Sequence, residues 1–212
     1  MACVDRIDQC LQNILKRREK MNRRTFDKIV SYVGLGLAVL LFTFAGLLNF
    51  GASFANESVK TQLENQNIAF PAEDSLPADT KDQLKKWAGM TVNTGEMARD
   101  YSDLYIWEHM KGSAIAVTGK PSTYSEVSGT YMGLVRGGST DVATITKYAD
   151  LRETLFMGNT LRGMLLQAYA FGTMGVIAGY AAIASFLAGL LFLLLAIAGF
   201  MHLRRTPKEA TI

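Results

Sequence analysis

Two long uncharged stretches frame the chain, and helix-patterned polar sequence lies between them. Residues 29–56 and 163–201 contain no Asp, Glu, Lys or Arg. A membrane-crossing helix needs about 20 mostly apolar residues to cover a hydrocarbon core of about 30 Å, and both stretches clear that length. The first uncharged stretch predicts a transmembrane helix over residues 29–55. The second predicts one long helix over 163–201. A tight hairpin of two short spans is disfavoured because no Pro, Asn or Asp lies between Gly163 and Met201 to make the turn. At about 1.5 Å per residue this helix exceeds the bilayer, so its first turns, near Arg162 to Tyr169, are expected to project beyond it.

The segment between, residues 56–162, patterns as short helices. Glu57 to Gln66 can continue the first span, and Pro71 and Pro77 bracket a loop. Asp79 or Thr80 can cap a short helix through Trp87, which Gly89 ends. Thr94 can cap a longer helix that turns Met97, Tyr101, Leu104, Tyr105 and Ile115 towards a core, with Gly119 and Pro121 breaking it. Thr123 and Glu126 have capping-box spacing, and Tyr124, Val127, Tyr131 and Leu134 follow on one face. Gly137-Gly138-Ser139 is a turn. Val142, Ile145, Ala149 and Phe156 then suit a last outer helix that leads into the second span. Alternating β-branched runs are nearly absent. The fold class expected is all-α: two transmembrane helices flanking a small, mostly helical extracytoplasmic domain.

Charge orients this arrangement. The net charge is +4 over residues 1–28, −3 over the middle segment and +2 after Met201. Basic flanks stay in the cytoplasm, which places both termini inside, the loop outside and the protein in the plasma membrane. Residues 202–212 form a basic cytoplasmic tail. Ser53-Phe54-Ala55 has the small residues a signal peptidase reads, but the apolar core exceeds the usual 7–15 residues, so an uncleaved span is expected. Residues 1–28 pattern as a basic amphipathic helix through Val4, Ile7, Leu11, Ile14 and Leu15. They could serve as an anchor flank, as a helix on the anionic inner leaflet, or as a contact for a partner. Cys3 and Cys10 fall on the reducing side, and the outer segment has no cysteine and hence no disulfide.

Catalytic chemistry finds no foothold. His109, beside Glu108, is the only histidine outside the membrane flanks, and the middle segment has no Cys or HxxxH pattern to complete a metal or acid–base set. Gly119-Lys120 fails as a phosphate loop because Ala114 and Pro121 stand where Gly and Ser/Thr are required. No charged side chain lies inside either span, which argues against an ion pathway. No cofactor, metal, enzymatic activity or nucleic-acid partner is expected.

The stronger pattern is a ridge of small residues on the second span. Gly175 and Gly179 form a GxxxG, and Gly172, Ala182, Ser185 and Gly189 extend it; Gly34, Ala38, Ala45 and Gly46 offer small residues on the first span. Small residues let helix backbones approach closely in lipid. These six residues of the second span are the candidate helix-packing interface. Its partner is either this chain's first span or another protein.

Three runs carry a resemblance: Gln62-Leu63-Glu64-Asn65-Gln66-Asn67-Ile68, Tyr101-Ser102-Asp103-Leu104-Tyr105-Ile106, and Thr154 to Tyr169 with Met157-Gly158-Asn159-Thr160-Leu161-Arg162 at its centre. Over roughly Val59 to Gly175 the chain resembles a family of small actinobacterial membrane proteins with two spans and an extracytoplasmic helical domain. More distantly it is similar to an accessory factor of the cytochrome bcc–aa3 respiratory supercomplex. Some relatives carry a ring-opening dioxygenase label, for which this chain has no iron-ligand set. The resemblance implies a non-catalytic accessory subunit that meets other membrane proteins, cytochrome bcc–aa3 subunits among them, and it carries over no functional residues. The alternative is an independent envelope protein whose outer domain binds a small ligand or lipid.

Overall fold

A computed structural model describes residues 23–205 and Pro207. Most of the basic N-terminal segment, with Cys3 and Cys10, and the tail from Lys208 lie outside the described residues. Within them the chain is all-α. Helix α1 spans Arg23–Asn65, α2 Lys81–Leu84, α3 Gly95–Asp100, α4 Trp107–Thr118, α5 Tyr124–Arg136 and α6 Val142–Arg205. Helices α1 and α6 are each long and apolar enough to cross a membrane. Chain contacts divide the described residues into two units, 51–178 and 23–50 with the residues from 179.

The last outer helix and the second apolar stretch are one helix of 64 residues. No Pro, Gly-Gly or Asn-Gly breaks the sequence between Val142 and Arg205, so nothing stops propagation. The expected core face of its outer part differs from the observed one. Val142 and Phe156 are exposed, whereas Leu151, Leu155 and Leu165 are buried. An apolar stripe that also contains exposed residues leaves helix rotation ambiguous, and packing against α4 and α5 selects the Leu151 and Leu155 side. Ile115 on α4 is likewise exposed, while Met110 and Ala114 turn inwards.

The unit of residues 51–178 has two apolar clusters. One gathers Val59 and Leu63 of α1, Phe70, Leu76, Leu84 and Val92 of the connecting segment, Met97 and Ala98 of α3, and Leu165 of α6. The other gathers Met110 and Ala114 of α4, Val127 of α5, and Leu151 and Leu155 of α6. Each fully buried Leu here contributes about 1.5–3 kcal/mol. The connecting segment is held by backbone hydrogen bonds from Phe70 to Met90 and from Val92 to Ile68, around an isolated bridge between Ala69 and Thr91. Thr80 precedes α2 but does not cap it; its hydroxyl donates to the Leu104 carbonyl at 2.8 Å.

The caps at Thr94, Gly119 and Thr123 follow their residue types. The Thr94 hydroxyl accepts from the Met97 amide at the start of α3, and Gly119 ends α4 with φ +75°, a left-handed conformation that a Cβ would strain. At α5 the Thr123 amide donates to Glu126 at 2.7 Å and the Glu126 amide donates back to the Thr123 hydroxyl at 3.3 Å. The Thr123 amide, then its hydroxyl, hold the Glu126 carboxyl below its ordinary pKa. Thr123→Ala is expected to lower stability by about 1 kcal/mol, and Thr123→Ser to retain it, in thermal melts followed by circular dichroism.

The unit that contains residues 23–50 and 179–205 is a helix pair with small residues at its seam. Ser31, Ala38 and Ala45 of α1 are buried, as are Ala182 and Ala196 of α6. The α1 set recurs every seven residues, and so does the α6 set once Gly189, buried midway between the two alanines, is included. A Cβ on Gly189 would stand 3.2 Å from the Phe42 ring, and one on Gly34 would stand 3.6 Å from the Ala196 Cβ. This seven-residue spacing is the repeat of left-handed supercoiled helices.

Candidate functional site

The small-residue ridge of α6 meets different neighbours along its length. In the 51–178 unit, Gly172 lies against Gly95 at the start of α3, where a Cβ on Gly172 would be 3.2 Å from the Gly95 Cα. Gly175 faces α1, where a Cβ would be 2.7 Å from the Asn56 side-chain oxygen and 3.2 Å from the Ala55 Cβ. In the other unit Gly179 and Ser185 are half-buried, Ala182 is buried, and Gly189 faces Leu41 and Phe42 of α1. Gly172, Gly175 and Gly189 therefore have backbone or side-chain neighbours within this chain.

Three features of the 51–178 unit have no signature in the sequence. The first is a buried carboxylate. Asp100 is 5% exposed and accepts from the Trp87 indole at 2.9 Å and from Arg99 at 3.0 and 2.8 Å; Lys86 approaches at 3.1 Å. Burial by itself would raise its pKa. The donors, Trp87, Arg99 and Lys86, outweigh that and hold the carboxyl below its ordinary value. Lys86 stands over the Trp87 ring and Arg99 over the Tyr169 ring, so the cluster ties the 85–87 segment and α3 to α6. A carboxylate so fully engaged, with its proton affinity lowered, suits cross-linking rather than proton transfer.

The second is a π-helical turn, Tyr101–Ile106, between α3 and α4. The Trp107 amide donates to the Ser102 carbonyl, five residues back. The same carbonyl accepts from Arg162 Nε at 3.1 Å, while Arg162 Nη2 reaches Asp103 at 3.0 Å and the guanidinium covers the Trp107 ring at 4.7 Å. The wide turn also directs Tyr101 edge-on to Phe70 at 5.0 Å, and Tyr105 to His109 at 4.5 Å. His109 is exposed and packs on that ring. Among the described residues no three His, Cys, Asp or Glu side chains gather as a metal would require.

The third is a cavity of about 870 Å³ between α1, residues 87–97 and α6. Ser53, Asn56, Glu57, Val59 and Lys60 line it from α1; Trp87, Met90 and residues 93–97 line it from the middle; Tyr169, Gly172, Thr173 and Val176 close it from α6. A smaller hollow of about 520 Å³ lies beside His109, Glu108 and Asp79. Its Glu108 is already paired with Lys111 at 2.7 Å.

The sequence pattern had marked the ridge on α6 but not these three. Trp87 and Asp100, or Ser102 and Arg162, are brought together only by tertiary packing, with no local spacing to betray them. No family model, curated protein or solved structure matches this chain.

Proposed function

We propose that this chain is a two-span plasma-membrane protein, with both termini cytoplasmic and the middle segment outside, that acts without catalysis as an accessory subunit of a membrane complex. Two helices of suitable length and the +4, −3, +2 charge pattern support the insertion and its direction. The Asn56–Gly175 contact supports a hydrocarbon boundary at that level, because charge resumes on α1 at Glu57 after the uncharged residues 29–56. From there to Met201, α6 runs about 40 Å, enough to cross.

The observation that carries partner contact is an apolar stripe on α6 beyond that boundary. Met157, Leu161 and Met164 are 52%, 52% and 63% exposed. At about 100° per residue they fall within about 60° on one helix face. Met157 and Leu161 precede Arg162 in the charged part of the helix and Met164 follows it by two residues, where lipid chains would not cover them. Contiguous exposed apolar side chains outside a membrane mark a protein contact. The first complex to test is the cytochrome bcc–aa3 supercomplex.

In mild detergent the wild-type chain is expected to recover other integral membrane proteins, cytochrome subunits among them, identified by mass spectrometry. Met157→Gln/Leu161→Gln should lower that recovery by about tenfold, the effect of losing about 1.4 kcal/mol at the contact. If the wild type recovers no partner, the accessory-subunit reading fails. Equal recovery by both forms places the contact elsewhere on the chain.

A further inference from the structure

We propose that the cavity of about 870 Å³ in the 51–178 unit holds the headgroup of a membrane phospholipid bearing a primary amine. The proposal rests on the membrane insertion proposed above, and not on the partner contact.

The volume lies within the range of ligand cavities, about 300–1,000 Å³. Its position along the helices is the first argument. Asn56 and Gly175 meet at its edge. In one direction from that pair, both helices continue without charge; in the other, α1 carries Glu57 and Lys60 into the cavity wall. An amphiphile spanning this boundary would keep its chains beside Val176 and its polar head beside Lys60. Trp87, a residue type favoured at the membrane interface, forms part of the middle wall.

Charge selects the head. Glu57 and Lys60 stand three residues apart on α1, both line the cavity, and neither joins an ion pair among the described residues. Glu96, the other carboxylate in the wall, is met by Lys86 at 3.2 Å. One cation and one anion therefore remain for a ligand. A phosphate suits the Lys60 ammonium, and a protonated amine donating hydrogen bonds suits the Glu57 carboxylate. A purely anionic head would satisfy Lys60 and be repelled by Glu57. A trimethylated amine would carry the charge but have no hydrogen to donate. Ethanolamine phospholipid meets both requirements.

The test uses the full chain with Trp107→Phe, which leaves Trp87 as its single tryptophan, reconstituted in nanodiscs. Phospholipids brominated near the head of the acyl chains, with ethanolamine, choline or glycerol heads, are titrated over the same range of mole fraction, and quenching of Trp87 is read. Ethanolamine lipid is expected to quench at about one-tenth the concentration of choline lipid, a preference of about 1.4 kcal/mol. Glu57→Gln should abolish that preference while leaving quenching by choline lipid unchanged. Lys60→Met should weaken both.

Native mass spectrometry of the wild-type chain released from mixed-lipid nanodiscs gives a second readout, should Trp107→Phe fold poorly; an ethanolamine-lipid adduct is expected to persist. Equal quenching by all three heads overturns the proposal, as does a preference that survives both substitutions. Release of the chain from membranes by alkaline carbonate would instead overturn the insertion reading, a failure distinguishable from loss of head selectivity.

Discussion

Gly95→Leu is expected to destabilise the protein by about 3 kcal/mol or more, at the upper end of overpacking effects. A Cβ at residue 95 would stand 3.1 Å from the Tyr169 Cα and 3.3 Å from the carbonyl oxygens of Ala168 and Tyr169. All three neighbours are backbone atoms of α6, so no flexible side chain can swing aside. Gly172 completes the crossing from the other side. Ala should be tolerated far better than Leu at either position, because a few tenths of an ångström of helix movement accommodates one carbon, and the unfolded chain loses some freedom in return. Thermal melts of the full chain in detergent, followed by circular dichroism, check the Gly, Ala, Leu series. An unchanged melting temperature for Gly95→Leu would show that α3 and α6 do not approach this closely. Gly175→Leu would collide with Asn56 and Ala55, so its effect falls on the chain's own helix pair. For that reason partner recovery is better read from Met157 and Leu161.

Asp100→Ala is expected to cost about 1–3 kcal/mol, chiefly because the Trp87 indole N–H loses its acceptor in a buried place. Lys86 and Arg99 are 50% and 39% exposed and can turn to water, which limits the loss from their ion pairs. The carboxyl has a lowered pKa in the folded protein, so its contribution is fully present above the unfolded value near 3.8 and is lost as pH falls through the lower folded value. Wild type should therefore lose stability below about pH 4, and Asp100→Asn should show a flatter acid limb with a lower plateau at neutral pH. Parallel acid limbs for the two proteins would mean that this carboxylate is not what the acid titrates.

The all-α class and the two long helices were legible because they rest on composition and local caps. Absence of charge over residues 29–56 and 163–201 marks the two apolar helices, and Thr94, Gly119 and the Thr123–Glu126 box mark ends that fall where their chemistry requires. The rotation of α6 was not legible at Phe156, since an apolar residue reads alike whether it meets a core or a partner. Asp100 resembled any solvated carboxylate on a polar helix, and its role depends on Trp87 and Lys86, which approach from another segment. The π turn left no mark either, because Tyr101 to Ile106 is compatible with ordinary helix. It is the reach of Arg162 to the Ser102 carbonyl that accompanies the wide turn.

The recurrence of small residues every seven positions, Ala38 to Ala45 on one helix and Ala182 through Gly189 to Ala196 on the other, gives the helix pair a natural quantum of length. Losing a single residue from one helix turns everything after it by about 100° and carries the alanines off the seam. Losing or gaining seven turns it by about 20° and slides it by about 10 Å, bringing the next small residue opposite the place of the last. A pair built this way resists single-residue insertions and deletions yet can be lengthened or shortened by whole repeats without redesigning the contact.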